Sequence, residues 1–205
     1  MQQCQREKRL LLILLSAVLL ISFGLSGWAA STGLEIILDA SGSMNEQFSY
    51  GTTKIEAARS HFVSMLGHIF GEDLDIGLRV FGWHMPECSS RLVVDLGESF
   101  GTERIYDMKQ VATEVYADGN TPLAESLHYA GLDLRPYEVR RILVITDGNE
   151  TCGGDPASVV RQELKGYDVV IYGVVYGESA ASGELQEAVE ESGGTLYTAK
   201  DSRGS

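Results

Sequence analysis

The chain has little cysteine, little histidine and little positive charge. Three Cys and four His stand among 205 residues, and 16 Lys and Arg face 29 Asp and Glu. From Ser31 onward the balance is 13 basic against 28 acidic residues, a formal charge of −15, which disfavours nucleic acid and anionic lipid surfaces as partners. There is no Gly-x-x-x-x-Gly-Lys loop to cradle a phosphate. No linker or internal repeat divides residues 31–205, so they are expected to form one domain with a sizeable core.

Long apolar stretches are also scarce, with one exception near the start. Arg6, Lys8 and Arg9 precede the apolar run Leu10 to Leu25, and Ser26-Gly27-Trp28-Ala29-Ala30 follows. That basic, apolar and small-residue order is that of a secretory signal. The run is somewhat shorter than the approximately 20 residues that span a bilayer. Residues 1–30 are therefore expected to be a signal peptide cleaved near Ala29, with a retained anchor over residues 10–28 as the alternative. Cys4 lies too early for a lipoprotein cleavage site. The protein is expected to be exported, either periplasmic or secreted, with membrane contact only through an uncleaved segment. An oxidising compartment lets Cys88 and Cys152 form one disulfide. A thiol or soft-metal site is the competing assignment, although no His spacing accompanies it.

Gly33 to Leu38 reads as a strand buried on both faces, the kind found in parallel sheets. Thr53-Lys54-Ile55-Glu56 offers a capping box, and Ile55, Ala58, Phe62, Met65, Leu66 and Ile69 recur at helical spacing to about Phe70. His61 and His68 fall off that stripe and are expected to be solvated. Strands at 75–81 and 91–96 are joined by a loop too short for a helical crossover, so they should pair antiparallel. Helices are expected at 103–116, 122–132, 156–164 and 183–191, and strands at 140–146, 168–175 and 195–198. The alternation predicts an α/β fold: a doubly wound, mostly parallel sheet with one antiparallel edge strand and helices on both faces.

Asp39-Ala40-Ser41-Gly42-Ser43 follows the first buried strand and sets one carboxylate and two hydroxyls at alternate positions. Magnesium prefers hard oxygen ligands and keeps several waters, which suits a site of few protein oxygens. The same residues would serve a polar turn, and Ser43-Met44-Asn45-Glu46 fits a capping box. In open α/β sheets ligands bind beyond the carboxyl ends of the strands. Three segments should converge there: Asp39 to Ser43, Thr121, and Asp147-Gly148. Taken alone, Thr121-Pro122 looks like a helix cap with proline at the first helical position. Asp147-Gly148 alone looks like a hairpin turn, but residues 149–155 supply no return strand.

An Asp-x-Ser-x-Ser loop, a distant Thr and a distant Asp, in that order and strand context, resembles the von Willebrand factor A domain and its metal-ion-dependent adhesion site. The resemblance runs from about Leu34 to Lys200. The stretch Asp147 to Pro156 looks like that of exported bacterial single-domain members. The resemblance implies a Rossmann-like fold and a metal site of Asp39, Ser41, Ser43, Thr121 and Asp147 holding Mg²⁺, with Mn²⁺ or Ca²⁺ as alternatives. It further implies that the hydroxyls touch the cation while the acids act through water, leaving a position for an Asp or Glu carboxylate of a protein partner. The implied function is a non-enzymatic, metal-dependent adhesion or assembly module. A closed structural metal site and a Mg²⁺-dependent hydrolase are the alternatives. Aspartyl phosphatases need a second acid two residues after the first, and Ser41 stands there.

Some relatives carry another Cys soon after Pro156. Here Ala157 and Ser158 follow, which implies Cys88 as the partner of Cys152. The flanking strands would stand about 10 Å apart, whereas a disulfide needs Cα atoms within about 7 Å, so the loops must lean together. The resemblance also implies coupling between ligand capture and the last helix, 183–191. Glu150 is expected to be a solvated loop acid. Trp83 and His84 either rim a partner surface or pack locally.

Overall fold

Leu34, Ile36, Ile37 and Leu38 are fully buried, and they make β1 (Thr32–Asp39) the central strand. The computed structural model describes residues 30–49, 51–70, 72–84, 88–99, 101–177 and 183–199, so the expected signal lies outside the described residues apart from Ala30. Side chains alternate across a strand. Leu34, Ile36 and Leu38 enter the core on one face of the sheet, and Ile37 enters the core on the other. Both faces of β1 therefore need cover, and helices supply it.

After β1 come a 3₁₀ turn at Gly42–Asn45 and a small hairpin of β2 (Gln47–Ser49) and β3 (Thr52–Thr53). Helix α1 (Lys54–Ile69) then begins at the expected capping box. The Thr53 hydroxyl accepts the Glu56 N–H, and the Glu56 carboxylate accepts the Thr53 N–H. Its predicted stripe, Ile55 through Ile69, is buried. Strands β4 (Asp75–Phe81) and β5 (Ser90–Glu98) pair antiparallel, as their short connection requires. Helices α2 (Thr102–Glu114) and α3 (Leu123–Asp133) precede β6 (Val139–Thr146). Helix α4 (Pro156–Val159) runs on into a π-turn at Val160–Leu164, and β7 (Val169–Tyr176), α5 (Gly183–Glu191) and β8 (Leu196–Ala199) complete the order.

The sheet runs β5-β4-β1-β6-β7-β8, and every pair except β4–β5 is parallel. Phe62, Leu66, Ile105 and Met108 bring α1 and α2 onto one face, while Leu123, Leu127, Ala157 and Leu185 bring α3, α4 and α5 onto the other. This is a three-layer, mostly parallel α/β fold with one antiparallel edge strand. At about 1.5–3 kcal/mol for each large aliphatic or aromatic side chain buried, these two cores are the principal attraction holding the layers together.

Two local expectations change. His61 is not simply solvated, because its Nδ1 lies 2.8 Å from the hydroxyl of the buried Tyr176. The short hairpin at 47–53 was not predicted, since two or three residues carry no readable alternation.

Candidate functional site

β1 and β6 are adjacent and parallel, so their carboxyl ends place Asp39 and Asp147 at the same edge of the sheet. Asp39 is fully buried. Its Oδ1 accepts the Ser41 N–H at 2.6 Å, and its Oδ2 accepts the Thr146 hydroxyl. Burial pushes the Asp39 carboxyl up to about 6, against the pull of these hydrogen bonds. The loop then doubles back so that Ser41 Oγ and Ser43 Oγ stand 3.1 Å apart. Ser43 donates to Asp147 Oδ1 at 2.7 Å, across 104 residues of sequence.

Backbone contacts bring the third segment alongside. Ser41 forms an isolated parallel bridge with Gly119, and the Gly42 N–H donates to the Gly119 carbonyl at 2.8 Å. Gly82, at the end of β4, has a φ of 72°, and a Cβ there would come within 2.5 Å of the Ala40 backbone. Glycine is therefore required for β4 to close against the loop. Thr121 is 3 % exposed and is held by Thr151: its N–H donates to the Thr151 hydroxyl, and its carbonyl accepts the Thr151 N–H. Helix α3 starts at Leu123, with Pro122 at the cap position and no side-chain capping bond, so the Thr121 hydroxyl does not serve as a cap. Nor does Ser43 act as a cap; the 3₁₀ turn has no side-chain cap, and the Ser43 hydroxyl goes to Asp147.

Sequence reasoning missed Lys54. It is the first residue of α1, 7 % exposed, and its Nζ stands 2.5 Å from Asp147 Oδ2 and 2.6 Å from Glu46 Oε2. Burial works against its charge, but the two carboxylates outweigh that and hold its pKa above the ordinary lysine value. Glu150 also departs from expectation. Its two oxygens accept the Ala124 N–H in the first turn of α3 and the Cys152 N–H, both under 3 Å, so it braces the loop rather than facing water alone.

Cys88 and Cys152 are joined, with Cα atoms 5.5 Å apart. The loops after β4 and β6 do lean together, over the segment that carries Thr121, and both thiols are consumed. Trp83 packs against the core on the α1 side. His84 lies edge-on to Tyr116, with ring centroids 4.7 Å apart.

Comparison with known proteins accords with this architecture. An uncharacterized Bacillus subtilis protein, YwmD, is 26 % identical over 185 residues, covering 84 % of this chain and 80 % of its own. The crystal structure of BatB from Bacteroides thetaiotaomicron superposes with a TM-score of 0.63 at 20 % identity, covering 84 % of this chain and 92 % of BatB. The PilB minor pilin from Streptococcus sanguinis superposes with a TM-score of 0.66 at 14 % identity, covering 87 % of this chain and 59 % of the pilin. The sequence profile of the von Willebrand factor type A domain matches residues 34–205, and the chain belongs to that family.

Proposed function

We propose that this domain is an exported, non-enzymatic binding module that captures an acidic side chain of a protein partner through a divalent cation, Mg²⁺ in the first instance. The observation that carries it is the oxygen cluster at the ends of β1 and β6. Octahedral Mg²⁺ with bonds of roughly 2.0–2.1 Å sets neighbouring ligands about 3 Å apart. Ser41 Oγ and Ser43 Oγ are separated by 3.1 Å, so the two hydroxyls suit adjacent positions. Ser41, Ser43 and Thr121 would hold the cation as neutral donors, and Asp39 and Asp147 would orient its waters and balance its charge. A cation bound mainly by neutral donors keeps enough positive charge to accept a further carboxylate.

Solved structures of similar fold include pilus proteins, such as the Streptococcus sanguinis minor pilin and the pilus adhesin SpaC from Lactobacillus rhamnosus GG. A surface role outside the cytoplasm is in keeping with those structures, with the basic-then-apolar start of the chain and with the disulfide. Asp39→Ala should abolish both Mg²⁺-induced thermal stabilisation and Mg²⁺-dependent capture of partners from envelope extract, while leaving a folded domain. Capture by the wild type that persists unchanged in EDTA would overturn the reading.

A further inference from the structure

We propose that Lys54 is a resident counter-charge that sets how tightly the site holds its divalent cation, an inference that rests on the metal reading above. The side chain is placed there deliberately by the fold. The Lys54 N–H donates to the Glu46 carbonyl at 3.0 Å, the capping box at Thr53 fixes the first turn of α1, and the stem runs past Gly177 at the end of β7. The ammonium ends in a buried position against Asp147, whose carboxylate is 1 % exposed. Asp147 is thereby divided. One oxygen accepts from Ser43 within the candidate donor set, and the other is neutralised by Lys54.

The arithmetic of charge follows directly. Asp39 and Asp147 supply two negative charges to the site, and Lys54 returns one positive charge that cannot diffuse away. An arriving divalent cation is repelled by that ammonium and finds one of its two acids already paired. Glu46, with a 68 % exposed side chain, is the outer partner that draws part of the lysine's charge away from the site. Lys54 thus weakens cation binding while keeping Asp147 paired in the metal-free protein, and Glu46 moderates the effect. The arrangement favours a cation that exchanges over one that is locked in as a staple.

The two charges can be separated by isothermal titration of the purified full chain with Mg²⁺ and by thermal unfolding in EDTA. Lys54→Met keeps the apolar stem and removes the charge. It should bind Mg²⁺ at least about tenfold more tightly than wild type, given the strength of charge interactions at a few ångströms in a partly buried site. The same variant should melt at a lower temperature in EDTA, because Asp147 loses its partner. Glu46→Gln should do the opposite to binding, weakening it a few-fold, with little change in the metal-free melting temperature, since the arm it removes is exposed. A merely structural lysine would give a variant both less stable and weaker in Mg²⁺ binding. Unchanged or weaker binding by folded Lys54→Met overturns the inference, as does tighter binding by Glu46→Gln should the methionine variant fail to fold. Mg²⁺ binding by Lys54→Met where wild type shows none supports it. Absence of Mg²⁺ binding in wild type and both variants overturns the metal reading and this inference together.

Discussion

Glu35 occupies the middle of β1, fully buried, with the Arg79 Nε 2.7 Å from its Oε1 and no hydrogen-bond partner for its Oε2 among the described residues. Burial pushes its carboxyl up to about 7, and the guanidinium beside it does not overcome the desolvation. The folded protein therefore holds a proton at Glu35 that the unfolded chain releases near its ordinary value of 4.5. Stability from this group is complete below that value and is lost as the pH rises toward 7. At about 1.4 kcal/mol per pH unit, the loss across the window is on the order of 3 kcal/mol at most. Urea unfolding at several pH values between 5 and 7.5 should show wild type losing about 2 kcal/mol more than Glu35→Gln over that range. Parallel curves for the two proteins would refute it. Neither Glu35 nor Lys54 is legible as a buried charge in the sequence. Arg79 lies 44 residues from Glu35, and Asp147 lies 93 residues from Lys54, so nothing local announces the pairing. Asp39, Ser41 and Ser43, by contrast, advertise themselves through alternate spacing within five residues.

Among the elements, the loops after β4 and β6 are the ones whose relation the linear pattern left least determined. Their strands flank β1 on either side, yet Cys88 and Cys152 bring their loops to a Cα separation of 5.5 Å. The bridge spans 64 residues, which in the chain-entropy account is worth about 4 kcal/mol through restriction of the unfolded chain. Replacing both cysteines by serine should lower the unfolding free energy by up to this amount in chemical denaturation. An unchanged midpoint would show that the bridge constrains little. The antiparallel β4–β5 pair was readable because a short loop forbids a crossover. The start of α1 was readable because Thr53 and Glu56 stand at capping-box spacing. The passage of α4 into a π-turn was not, since Val160 and Leu164 keep the same buried face that an uninterrupted helix would present.

On the scale of the molecule, alternating strands and helices determined the fold class, and parallel pairing with β1 at the centre followed from its burial on both faces. What the molecule must overcome is its own field. A formal charge of −15 from Ser31 onward repels any acidic partner at long range, and under the proposed function the attraction of a bound cation would act only close in. Salt screens the first more than the second. Association of Mg²⁺-loaded protein with an immobilised acidic peptide should therefore quicken as ionic strength rises from about 0.02 to 0.15 M, where the screening length falls to about 8 Å. Slowing over that range would show that the acidic surface does not govern approach. No helix among the described residues is long and apolar enough to cross a membrane.

The Cys88–Cys152 bridge also closes a covalent ring through β5, α2, α3 and β6. A protease that severs the backbone once anywhere within that ring releases no fragment. After any such cut the segment bearing Thr121 keeps one intact connection to the rest of the chain, so a domain nicked there still has every residue of its candidate site attached.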